Sequence, residues 1–63
     1  MSKAQLLKAI KQAKSVHAYV QLTENEEAYI KVTKSDAVEQ ISRLGDGQEF
    51  NAVMRDGKYL YLN

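Results

Sequence analysis

After residue 15 the apolar residues of this chain stop recurring at helical spacing and begin to alternate. Before that point, Leu6, Ile10 and Ala13 fall at i, i+4 and i+7, with Ala9 beside them and Leu7 at the margin. That period predicts an amphipathic helix over residues 3–15, with Ser2 as its N-cap and Lys8, Lys11 and Gln12 turned away from the apolar stripe. From VHAYVQLT onward the period is two. Val16, Ala18, Val20 and Leu22 point one way, and His17, Tyr19 and Gln21 the other. The polar run ENEE makes a turn, and AYIKVTK alternates again, with Ala28, Ile30 and Val32 opposed to Tyr29, Lys31 and Thr33. The two runs read as a hairpin with one apolar face.

The second half repeats the order. SDAVEQISRLG predicts a helix over 35–45, capped by Ser35 or Asp36, with Asp36 and Glu39 at capping-box spacing. Ala37, Val38, Ile41 and Leu44 form its expected buried stripe. Glu39 and Arg43 lie four apart on the outer face, and Gly45 reads as a left-handed stop. QEFNAVM and KYLYLN then predict a second hairpin around Asp56-Gly57. The expected fold is α+β in the order α-β-β-α-β-β. Its simplest form is a four-stranded antiparallel sheet with both helices on one face. EEAYIKV and DGKYLYL align as an acidic turn, a tyrosine and aliphatic residues spaced by two, which suggests a pseudo-repeat of one helix–hairpin unit. Residues 1–63 form a single small domain.

A chain of 63 residues buries only about 60% of the surface exposed when it is unfolded. With no cysteine, neither disulfides nor the usual structural zinc sites can compensate. Good local structure or self-association must do so, and self-association is favoured on that ground. The composition, 44% hydrophobic and 27% charged, argues against disorder. No apolar run approaches a membrane span, and lysines interrupt the basic N-terminal segment where a secretory signal would be continuous. A soluble cytoplasmic protein with no membrane partner is expected. The net charge of +1 is unevenly spread, since residues 1–23 hold Lys3, Lys8, Lys11 and Lys14 and no acid. Lys8, Lys11 and Lys14 therefore mark a basic surface on the first helix, read first as a solvated face.

The second hairpin admits two registers. A two-residue turn at Asp56-Gly57 pairs Arg55 with Lys58 and Val53 with Leu60, which puts Tyr59 and Tyr61 on the same face as Phe50, Ala52 and Met54. A three-residue loop, Arg55-Asp56-Gly57, pairs Met54 with Lys58 and Ala52 with Leu60. It gathers Phe50, Ala52, Met54, Leu60 and Leu62 on one face and leaves Asn51, Val53, Tyr59 and Tyr61 on the other. The second register matches the first hairpin better, because all four tyrosines then share the face without helices.

Catalytic chemistry finds no footing. Gly45, Gly47 and Gly57 sit at turns, and no helix follows GDG to cradle a phosphate. The single histidine, His17, lacks the second histidine or cysteine of a metal site. Ser15 lies close by in the chain and is expected to point away from it, so no nucleophile–base pair is predicted. The expectation is a non-enzymatic binding module with no cofactor and no metal. Its interaction face comprises Tyr19, Tyr29, Lys31, Val53, Arg55, Tyr59 and Tyr61, a patch of the kind that marks contact surfaces. The favoured partner is another protein, most economically a second copy in a homodimer. The alternative is single-stranded nucleic acid, with tyrosines stacking bases while Lys31, Arg55, Lys58 and His17 meet phosphates. A third reading leaves the rings covering the sheet with no ligand.

Overall fold

The computed structural model describes all residues 1–63 and contains two helices and four strands. These are α1 (Lys3–Gln12), β1 (Ser15–Gln21), β2 (Glu27–Val32), α2 (Lys34–Ser42), β3 (Ala52–Arg55) and β4 (Tyr59–Leu62). The α+β class and the element order are those expected from the periodicity. The strand arrangement is not. The sheet order is β2-β1-β4-β3, with β1 and β4 adjacent and parallel. The sheet is therefore mixed, and the expectation of a purely antiparallel sheet is corrected. Both hairpins are antiparallel as read.

Burial accounts for this order. The two central strands carry Val16 and Leu60, both fully shielded and paired across the parallel ladder. β3 leaves Val53 half exposed and Arg55 in solvent, which suits an edge. With β3 outside and its partner folded back beside it, β4 lies against β1. The first strand of one hairpin and the second strand of the other are thus central, so the two helix–hairpin units do not occupy equivalent places.

One cluster forms the core: Leu6, Ala9, Ile10 and Ala13 from the first helical segment, Ala37 and Ile41 from α2, and Val16 and Leu60 from the sheet. The stripe predicted for α1 is buried as read. Ser2 caps that helix through a capping box in which its hydroxyl accepts from the Gln5 amide and the Gln5 side chain accepts from the Ser2 amide. The helices are tied at both ends by lysines. Lys3 Nζ donates to the carbonyls of Ser42 (3.1 Å) and Leu44 (2.8 Å), where the last turn of α2 leaves acceptors free. Lys34 Nζ donates to the Lys11 carbonyl at the end of α1 (3.2 Å).

Helix α2 departs from its reading at both ends. Its N-cap is Thr33, whose hydroxyl accepts from the Asp36 amide, so neither Ser35 nor Asp36 caps it. A β-branched residue closing β2 serves both elements, which alternation alone conceals. The helix stops at Ser42 with Arg43 still right-handed, and Gly45 does not take a positive φ. Leu44 accordingly lies beyond the helix and is 39% exposed. Helix α1 likewise stops at Gln12, so Lys14 belongs to the link into β1.

Two residues expected under the helices are in solvent. Leu22 follows the end of β1, and Ile30 lies on edge strand β2, where it is 47% exposed. Cover from α2 reaches Ala18, Val32 and Leu62, with which Ala37 and Ile41 line a shallow apolar groove. It stops short of the outer edge of β2.

Candidate functional site

The geometry of the opposite sheet face follows from the turn at Asp56-Gly57. Both residues have positive φ, 55° and 67°, as a type I′ turn requires, and the Lys58 amide donates to the Arg55 carbonyl (3.0 Å). Asp and Gly are the residues that tolerate this conformation. Yet Arg55 pairs with Tyr59, Met54 with Leu60 and Val53 with Tyr61. Lys58 is an extra, unpaired residue. It turns its carbonyl to the Lys14 and Ser15 amides (2.6 and 3.3 Å) instead of joining the ladder. Neither register read from the sequence is the observed one. The facial assignment of the three-residue loop nevertheless holds, because one extra residue restores its parity. Leu60, Leu62, Ala52 and Met54 lie together, and Tyr59, Tyr61 and Val53 lie opposite.

The registers place all seven expected face residues on one side. One row runs Lys31, His17, Tyr61, Val53 across β2, β1, β4 and β3. The next runs Ser15, Tyr59, Arg55, and Tyr19 pairs with Tyr29. The rings form a connected array. His17 stacks on Tyr61 at 4.9 Å and 16°. Tyr29 meets Tyr61 edge-on at 5.1 Å and Tyr19 at 5.9 Å. The Arg55 guanidinium lies 5.1 Å from the Tyr61 ring centre, a cation–π distance. His17 on β1 and Arg55 on β3 thus both reach the Tyr61 ring on β4, the strand between them. Tyr59 lies in the same face without joining an aromatic pair.

Hydroxyls tie the array down. Tyr19 donates to Glu27 and Tyr29 to Asn63. The Tyr19 phenol is held above its ordinary pKa of 10.0, first by that hydrogen bond, then by desolvation and by the charges of Glu27 and Tyr29. The folded state therefore keeps the Tyr19 proton more tightly than the unfolded chain does. Its contribution is complete below pH 10.0 and is lost as pH rises beyond that value. In a near-ultraviolet phenol titration, Tyr19→Phe is expected to remove a component that ionises above pH 10.0 in the wild type. Superimposable upper limbs for the two proteins would contradict the assignment.

Three members of this site escaped the sequence reading. Ser15 Oγ lies 2.9 Å from His17 Nε2, which corrects the expectation that they diverge. Residues i and i+2 of a strand share a face, and that parity was the available signal. The pair has no carboxylate hydrogen-bonded to the imidazole, and the Ser15 amide is already engaged by the Lys58 carbonyl. Glu27 is a diagonal neighbour of Tyr19 on the same face, legible from the hairpin register. Asn63 could not be read, because its contact with Tyr29 depends on β4 lying beside β1. No group of three or more His, Cys, Asp or Glu residues is placed to hold a metal ion. Lys8, Lys11 and Lys14 are exposed and make no ion pair. No helix is long and apolar enough to cross a membrane. Comparison with protein-family models, curated proteins and solved structures returned no match.

Proposed function

We propose that this protein is a non-enzymatic binding module whose tyrosine face contacts another protein, most economically a second copy of itself. The carrying observation is the connected array of Tyr19, Tyr29, Tyr61 and His17 beside Val53, in which Tyr19, Tyr29 and Val53 remain 40%, 45% and 50% exposed. With both helices on the Val16–Leu60 side, which the single core cluster supports, nothing in the chain covers this face. The area agrees. The chain exposes 4591 Å², against roughly 4,100 Å² for a monomeric protein of its mass. Tyrosine and arginine are enriched at protein interfaces, where a rigid ring with a polar tip buries area at little entropic cost.

The same geometry disfavours single-stranded nucleic acid. Base stacking needs an open ring face, and the Tyr61 ring already carries His17 stacked on it and the Arg55 guanidinium at cation–π distance. Glu27 also adds negative charge beside Tyr19. Light scattering of the wild type at high micromolar concentration is expected to give twice the monomer mass, and Tyr29→Ala to return it toward one chain while circular dichroism stays native. Short oligonucleotides are expected to leave tyrosine fluorescence unchanged. Quenching that weakens with salt would favour nucleic acid. A monomeric wild type at every concentration would remove self-association and leave the array as a cover for the sheet.

A further inference from the structure

We infer that the second copy engages through the free edge of β2, pairing antiparallel with the same strand of its partner about a two-fold axis at Tyr29. The inference rests on the self-association just proposed and specifies its geometry.

β2 is a six-residue edge strand without proline or glycine, so its outer row of amides and carbonyls is open to another strand. α2 does not cover it, as the 47% exposure of Ile30 records. A lysine on an edge ordinarily discourages pairing. Here the sequence Glu27-Ala28-Tyr29-Ile30-Lys31 is charge-complementary to its own reverse. Two such strands centred on Tyr29 set Glu27 opposite Lys31 twice, Ala28 opposite Ile30 twice, and Tyr29 opposite itself. Lys31 makes no ion pair within the chain, so it is available for this one. Centring the pair one residue later, on Ile30, places Lys31 opposite Tyr29 and Glu27 opposite Thr33, and the complementarity is lost. The Tyr29-centred register also preserves the faces. Both tyrosine arrays continue on one side of an eight-stranded sheet, and each exposed Ile30 gains an apolar neighbour on the other. Contacts of this self-complementary kind close as a dimer.

The test is the dimer dissociation constant by sedimentation equilibrium. Lys31→Glu places two acids opposite each other at both ends of the pair and is expected to weaken the dimer about tenfold or more. Glu27→Lys with Lys31→Glu exchanges the charges and is expected to restore much of the affinity, although it removes the acceptor of the Tyr19 hydroxyl. Gln12→Glu, at the exposed end of α1, is expected to leave the constant unchanged. If Lys31→Glu leaves a dimer intact while Val53→Lys, on the opposite edge strand, breaks it, the copies meet face to face and the β2 pairing is wrong, whereas the wider reading survives. If Lys31→Glu weakens the dimer and the exchanged variant does not recover, the Glu27–Lys31 pairing is overturned. A wild type that is monomeric throughout removes both.

Discussion

Leu60→Ala is expected to leave most of the protein unfolded at room temperature. Leu60 is fully shielded, stands at the centre of the sheet between β1 and β3, and joins Val16 to the side chains of both helices. Removing a buried leucine side chain costs about 2–5 kcal/mol, from lost transfer free energy and from the cavity left behind. A core of this size supplies roughly 3–5 kcal/mol in all, so the loss is comparable with the whole. Leu22→Ala is the control. That leucine is 60% exposed, and its replacement should change stability by no more than about 0.5 kcal/mol. Urea unfolding followed by circular dichroism separates the two. Equal, small effects would mean that the leucine face of β4 is not the core.

Deleting Lys58 is expected to be as damaging, although its side chain is exposed and makes no ion pair. Lys58→Ala should fall within about 0.5 kcal/mol of the wild type, as exposed substitutions do. Deletion acts through parity. Without the extra residue, Asp56-Gly57 closes a simple two-residue hairpin, and every side chain of β4 turns to the other face relative to β3. Leu60 would then leave Met54 and Ala52, and Tyr59 and Tyr61 would take its place on their side of the sheet. The carbonyl that receives the Lys14 and Ser15 amides would be lost as well. The expected result is a deletion variant without cooperative unfolding beside a point variant of native stability. A cooperatively folded deletion variant would show that β4 does not depend on this residue for its orientation.

Lys58 also marks the boundary of what the sequence made legible. The two helices, the two hairpins and the core stripe of α1 follow from periodicity, because each is decided by residues a few positions apart. The faces of the second hairpin were legible too, because only one parity collects the aliphatic residues together. The register was not, since Asp-Gly specifies the turn conformation and is silent about a bulge that follows it. The strand order was not legible at all. The adjacency of β1 and β4 depends on contacts between residues more than forty positions apart, such as Val16 and Leu60, and no local pattern encodes them. Membership of the tyrosine face was therefore readable, while its connections were not. Tyr29 touches Tyr61 and Asn63 only because β4 was brought beside β1.

The tyrosine face is most directly examined by the ring-proton resonances of the tyrosines as the protein is concentrated from the micromolar to the millimolar range. A second copy at the β2 end of the face predicts that Tyr29 shifts most and Tyr19 next, with Tyr59 nearly still, along a curve that matches the increase in mass. Resonances that stay fixed at every concentration, with the mass of a single chain throughout, would contradict the account.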